Sequence, residues 1–259
     1  ESAWRGIRTE ATYFIPLNQE FEYWRLKLTN TGDTPRRLSV FSFCEFTTEW
    51  NLLNDTLNLQ YAQYISEAVW RDGFILASSC GRLPVDAANF ANRDQSRWWW
   101  MTQLGGRIAG FECERDRFLG AYRSYDRPET VERGACGNHE HSSDDGCGSI
   151  QSDIELVPGE STDVLVLLGI GQHAAAKKLR QKFGSIGACE REFGRLKKHW
   201  HGLLDSIHVQ TPDPAFDHMT NVWGAYNALV TFEWSRSCSL VYTGDQRDGF
   251  GFRDTVQDF

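Results

Sequence analysis

No apolar run in the chain approaches the roughly 20 residues that a helix needs to cross a bilayer. That argues against a membrane-spanning helix in these residues. A surplus of positive charge is also missing. Lys and Arg number 27 against 35 Asp and Glu, for a formal net charge of −8. Nucleic acids and anionic membranes want a basic face, so neither is expected as a partner. No glycine-rich loop of the nucleotide-binding type occurs. The run Asp248-Gly-Phe-Gly251 is too short for one, and no strand clearly leads into it. No nucleotide cofactor is expected. The 7 cysteines (44, 80, 113, 136, 147, 189 and 238) are odd in number and lack a framework spacing. They read as reduced thiols of a cytoplasmic protein. A basic-then-apolar leader is absent, and the chain opens on Glu1 and stops straight after its richest motif. Both ends therefore read as cuts.

What is present is a core-forming composition, 41% hydrophobic and 13% aromatic with 10 tryptophans. Surplus aromatics serve either as platforms under sugar rings or as bulk in a large β core. Residues 1–170 read as β. Glu10–Ile15, Phe21–Thr29 and Arg37–Thr47 interleave aromatic or β-branched residues with polar ones. Asn30-Thr-Gly-Asp-Thr-Pro35 is a turn between two of them. Shorter strands are expected near Tyr61–Val69, Phe74–Ser79 and Arg107–Glu112, and the last near Asp163–Gly169. This spacing predicts stacked antiparallel sheets. Phe118–Asp126 reads as an irregular aromatic loop, and Gly134–Gly148 as a polar, glycine-rich one. Trp98-Trp-Trp100, if extended, puts two rings on one face and one on the other. It is either a sugar-stacking edge or a strand buried on both sides, and the second is favoured.

Near Gly171 the hydrophobic period changes from 2 to 3.6. Helices are expected over Ala174–Phe183 and Ala188–Leu204, the second with Phe193, Leu196, Trp200 and Leu203 on one stripe. Residues 171–210 read as a helical linker. In Thr211-Pro-Asp-Pro214, Asp213 is a candidate N-cap and Pro214 a candidate first helical residue. A new helical domain, 211–259, begins there.

The last eighteen residues, from Tyr242 to Phe259, carry the densest chemistry. Gly244, Gly249 and Gly251 let the backbone approach a ligand closely. Arg247 and Arg253 supply forks of N–H donors, and Asp245, Asp248, Asp254 and Asp258 supply acceptors. The mixture suits a polyhydroxylated ligand, whose hydroxyls donate and accept. Arginine also suits phosphate, which it grips through two bonds. The competing reading is an exposed turn in which Asp254 caps a helix.

Gly249-Phe-Gly-Phe-Arg-Asp-Thr-Val-Gln-Asp258 resembles the signature of the cellobiose and cellodextrin phosphorylases, glycoside hydrolase family 94. So do Asn221-Val-Trp-Gly-Ala-Tyr226 and Thr231-Phe-Glu-Trp-Ser-Arg236. Further matches are Arg8-Thr-Glu-Ala-Thr-Tyr-Phe-Ile-Pro16, Leu28-Thr-Asn-Thr-Gly-Asp33, and Asp116-Arg-Phe-Leu-Gly-Ala-Tyr-Arg123 with Val131-Glu-Arg-Gly134. They run in order along nearly the whole chain.

The resemblance implies a multidomain β-plus-α fold: an N-terminal antiparallel β super-sandwich, a helical linker and the start of an (α/α)6 barrel. It implies an inverting phosphorylase that cleaves β-glucosidic bonds of cellobiose-type sugars with inorganic phosphate, giving α-glucose 1-phosphate. Phosphate is then the nucleophile and co-substrate, and no cofactor or metal is implied. One carboxylic acid suffices, whereas an inverting hydrolase needs two carboxyls because water must be activated. Asp254 aligns with the family's sugar-holding Asp. Arg247 is the candidate for its Arg, although Asp248 fills the slot directly before Gly249. Asp248 itself, Arg253, Gln257 and Arg236 complete the expected substrate-binding set. The family's general acid lies further along the barrel, so these residues alone are expected to lack activity. A homodimer is implied for the full-length protein. Two alternatives stand beside this reading: a non-catalytic carbohydrate-binding β-sandwich protein, and the phosphorylase-like domain of a cyclic β-glucan synthase.

Two other constellations carry less. Cys136-Gly-Asn-His-Glu-His141 with Cys147 gathers zinc-type ligands at a spacing that fits no standard module, and a flexible loop without metal is expected there. Ser235 and Ser237 sit in no nucleophile-elbow pattern.

Overall fold

The computed structural model describes residues 1–46, 66–79, 97–142, 146–204 and 208–230. The chain divides into two compact units, Glu1–Phe193 and Gly194–Phe259, and each is taken by itself.

The first unit is a mostly antiparallel β sandwich with helices packed on its outer faces. Its larger sheet has the order β1-β2-β3-β11-β7-β6-β5-β9, and the smaller β4-β10-β8. The strands are β1 Ser2–Trp4, β2 Ile7–Phe14, β3 Phe21–Asn30, β4 Arg36–Glu45, β5 Ser66–Arg71, β6 Phe74–Ser79, β7 Arg97–Leu104, β8 Arg107–Glu114, β9 His141–Ser142, β10 Gly146–Leu156 and β11 Ser161–Ile170. Short helices α1 (Arg115–Leu119) and α2 (Glu129–Arg133) follow β8, and α3 (His173–Phe183) and α4 (Ile186–Leu204) follow β11. Every strand pairing among the described residues is antiparallel.

Alternation along each strand sorts side chains between two faces. Ala68, Ile75, Ala77, Met101 and Val166 of the larger sheet meet Cys113 and Ile150 of the smaller one. Leu28 and Val164 pack with Ile154 and Leu156 in a second cluster. The opposite face of the larger sheet is also buried where α3 and the start of α4 lie on it. Phe21 stands against Phe183 at 5.2 Å between ring centroids, and Phe14 against Phe193 at 5.1 Å. The fully buried Tyr23 donates from its hydroxyl to the Phe183 carbonyl at 2.8 Å, which satisfies an orphan acceptor at the end of α3. Arg25 joins Asp163 on β11 at 2.8 Å and Glu190 on α4 at 3.1 Å.

Two sequence expectations fail here. The stretch read as loop up to Gly148 runs into an eleven-residue strand, β10, the centre of the smaller sheet. Its polar character hid it. Gln151 and Ser152 are buried. Gln103 donates to Ser152 Oγ at 2.7 Å, and Gln151 accepts from the Cys136 amide and donates to the Gly134 carbonyl. Hydrogen-bonded polar groups can be buried at small cost, so no hydrophobic pattern was needed. The second is a boundary: Phe118–Asp126 is irregular from Gly120 onward as expected, but its first two residues close α1. Phe118 stacks on Phe43 with 4.6 Å between centroids.

Among the described residues the thiols of Cys44, Cys113, Cys136, Cys147 and Cys189 are free. Burial pushes Cys189 up to about 11 and Cys136 up to about 12. It raises Cys44, Cys113 and Cys147 further still. The native state therefore keeps protons that the unfolded chain begins to release near the ordinary thiol value of 9.0. Stability is full below that pH and falls as pH rises through it. Thermal melts from pH 7 to 11 are expected to give a flat melting temperature up to about pH 8 and a steady decline above about pH 9. A melting temperature constant to pH 11 would contradict this account.

Candidate functional site

The sequence-derived site residues, Arg236, Arg247, Asp248, Arg253, Asp254 and Gln257, all lie outside the described residues. So do Ser235 and Ser237. The described part of the second unit is the segment that leads toward them. It comprises the remainder of α4 from Gly194, α5 (Pro214–His218), a π-helical turn over Met219–Gly224, and α6 (Ala225–Val230). The start of α5 is built as its sequence dictates. The Asp213 carboxylate accepts from the amides of Ala215 and Phe216, with Pro214 in the first turn. Asp217 reaches back to accept from the Thr211 amide at 2.9 Å and its hydroxyl at 2.8 Å. Asn221 fastens the preceding extended piece. Its side chain accepts from the Val209 amide at 2.9 Å and donates to the Val209 carbonyl at 2.8 Å. Trp200, Tyr226 and Trp223 form an edge-to-face series at 5.7 and 6.3 Å between centroids. The π turn was not foreseen. It widens the helix at Asn221-Val-Trp-Gly224, inside one of the family-like motifs.

The cysteine–histidine loop is a tie, not a site. Asn138 pairs with Phe111 in both directions, its side chain accepting at 3.0 Å and its amide donating at 2.9 Å. The His139 carbonyl accepts from the Cys113 amide at 3.0 Å. The segment thus lies along the edge of β8 like an irregular strand, against the expectation of a loose loop. Beneath it the fully buried Glu112 carboxylate holds His139 Nδ1 at 2.9 Å and accepts from the Gly137 amide at 3.1 Å. Among the described residues no group of three or more His, Cys, Asp or Glu is arranged to hold a metal ion.

The family-like stretch from Asp116 to Gly134 is likewise structural. Glu132 pairs with both Arg123 and Arg127. The Tyr125 hydroxyl donates to Glu45, and Thr130 Oγ1 donates to the Arg117 carbonyl at 3.1 Å. These contacts fold α1 and α2 into a small knot against β4. Asn30, in another such stretch, is fully buried and donates to the carbonyls of Thr34 and Leu156 while accepting from the Gly32 amide. It locks the turn after β3 to the end of β10.

A cleft of about 380 Å³ opens on the helix-bearing face of the larger sheet. Trp98, Ser78 and Glu67 stand in one cross-strand row, since Trp98 pairs with Ser78 and Ser78 with Glu67. Leu76 and Val69 form the next row, and His173, at the start of α3, lines the opposite wall. The expectation that Trp98-Trp-Trp100 is buried on both sides fails at its first residue. Trp100 is fully buried and Trp99 is half-buried, whereas Trp98 is 37% exposed. Trp98 sits at the start of β7, where the strand runs out from beneath α3.

Comparison with known proteins gives two family matches in chain order. The "Glycosyl hydrolase 94, supersandwich domain" model matches residues 1–186. The "Glycosyl hydrolase 94 superfamily, catalytic domain" model matches residues 199–259. An N,N'-diacetylchitobiose phosphorylase of Vibrio proteolyticus is 31% identical over 255 residues, covering 98% of this chain and 30% of the relative. A solabiose phosphorylase of Paenibacillus borealis is 29% identical over 261 residues, 100% of this chain and 31% of the relative. A cyclic beta-(1,2)-glucan synthase of Rhizobium meliloti is 32% identical over 262 residues, 97% of this chain and 8% of the relative. The chain thus spans about 30% of the length of the phosphorylases it matches.

Proposed function

The chain belongs to glycoside hydrolase family 94, and from that premise we propose that it is part of an inverting carbohydrate phosphorylase. The substrate class is a β-linked, gluco-configured disaccharide or short oligosaccharide, with inorganic phosphate as co-substrate and no other cofactor. A phosphate oxygen attacks the anomeric carbon, the glycosidic C–O bond breaks, and a carboxylic acid outside these residues protonates the departing oxygen. Inversion of a β-link in this way yields an α-sugar 1-phosphate. The full-length protein is proposed to work as a homodimer.

The observation that carries the reading is the catalytic-domain match over residues 199–259, which contains the Arg/Asp-rich motif. On this reading residues 211–259 begin the (α/α)6 barrel, and 171–210 link it to the sandwich of residues 1–170. Asp254 accepts hydrogen bonds from the sugar unit at the cleavage point. Arg247, Arg253 and Arg236 supply donors to sugar hydroxyls or phosphate, while Asp248 and Gln257 complete the lining. The relatives' names widen the sugar unit beyond glucose, since one acts on N,N'-diacetylchitobiose.

The similarity to a glucan synthase supports a second reading, in which the same fold is one domain of a larger synthase. One assay separates them. The full-length protein, incubated with phosphate and cellobiose, N,N'-diacetylchitobiose or solabiose in turn, is expected to release a sugar 1-phosphate from one of them. Release of free sugar alone, independent of phosphate, would overturn the phosphorylase reading.

A further inference from the structure

We infer that the cleft between Trp98, Glu67 and His173 is a saccharide-binding site on the sandwich itself, one that accommodates about two pyranose units. The row Trp98–Ser78–Glu67 crosses three adjacent strands. Neighbouring strands lie about 4.8 Å apart, so the row spans roughly 10 Å, the length of two linked pyranose rings. The volume, about 380 Å³, falls in the range of small-ligand sites.

The chemistry along the row also fits a sugar. The exposed indole of Trp98 offers a flat apolar surface for the C–H face of a ring. Ser78 Oγ donates to Glu67 Oε1 at 3.0 Å, which orients the carboxylate and leaves its other oxygen to accept from a ligand hydroxyl. Across the cleft, His173 Nε2 is buried without a hydrogen-bond partner. Asp72, the nearest carboxylate, is 3.7 Å away, too far for a hydrogen bond, and it is held at 2.9 Å by Lys177. A buried polar atom left unpaired is costly. That nitrogen faces Asp72 and is closed to solvent, so the polar contacts open to a ligand in the cleft are those of the Ser78–Glu67 row. An anionic ligand would meet Glu67 directly.

Titration calorimetry on the full chain tests the site, with cellotetraose and N,N'-diacetylchitobiose as probes. Asp254→Asn is the background, so that binding through the terminal motif is weakened first. In that background at least one probe is expected to bind, and Trp98→Ala is expected to weaken it tenfold or more without changing the melting temperature. Trp98→Phe should recover part of the loss. Should Trp98→Ala fail to fold, Glu67→Gln tests the same row through an exposed side chain, with about a fivefold loss expected. Equal affinity with and without the substitution in the row overturns the inference, as does absence of binding by both probes. The phosphorolysis assay is read separately, because its failure bears on the terminal motif and leaves the cleft measurements standing.

Discussion

Asp254→Asn in the full-length enzyme is expected to lower kcat/KM for phosphorolysis about a hundredfold or more. On the proposed reading, a carboxylate at this position would accept hydrogen bonds from two hydroxyls of the sugar unit at the cleavage point. Asparagine keeps the shape, removes the charge and turns one acceptor into a donor. Hydrogen bonds to a charged group contribute roughly 1.5–3 kcal/mol each. Weakening one and making the other repulsive therefore exceeds the roughly 2.7 kcal/mol that corresponds to a hundredfold in rate. The rival account makes Asp254 a helix N-cap only. Asparagine caps about as well as aspartate, so that account expects almost no change in rate or stability. Phosphorolysis within a few-fold of wild type, at an unchanged melting temperature, would show that Asp254 does not hold the sugar.

Gly105→Ala is expected to destabilise the sandwich by about 3 kcal/mol or more. Gly105 and Gly106 alone join β7 to β8, carrying the chain from the larger sheet to the smaller. Gly105 has φ +97°, and a Cβ placed on it would lie 2.2 Å from the Asp163 carbonyl oxygen on β11. Gly106 has φ +70°, and its Cβ would lie 2.8 Å from the Asp153 carbonyl oxygen on β10. The corner is wedged between the two sheets it connects. Neither carbonyl can retreat, because β11 is registered against β3 and β7, and β10 against β4 and β8. Gly159→Ala is the control. Its φ is +79°, yet no atom lies within 4 Å of the added Cβ, so it bears only the dihedral cost of about 1 kcal/mol. By scanning calorimetry Gly105→Ala should lower the melting temperature by roughly 6–12 °C and Gly159→Ala by about a third as much. Equal losses would mean that close backbone approach is not what the corner requires.

The strands with regular alternation were legible because one period served one buried face. Phe21–Thr29 and Phe74–Ser79 were placed within a residue of β3 and β6. The cap at Asp213 was legible because its bonds are local. The strand β10 was not, since the groups that satisfy Ser152 and Gln151 come from Gln103 and from the 134–136 segment. The same holds for the stretches around Asn30 and between Asp116 and Gly134. Their resemblance to family motifs was visible, but the contacts that define their work join residues far apart in the chain.

The sequence by itself determined the family, a β-rich first part followed by helices, and the chemical character of the terminal motif. Those properties reside in composition, in the order of motifs and in short-range periodicity, none of which needs coordinates. Tertiary structure alone decided that the middle of the larger sheet is buried on both faces and that Gly105-Gly106 is the corner between sheets. It also decided that Glu112 and His139 tie down an edge segment. The row Trp98–Ser78–Glu67 is likewise tertiary. Those residues are brought side by side by strand register, and register is fixed by which faces the whole sheet must bury.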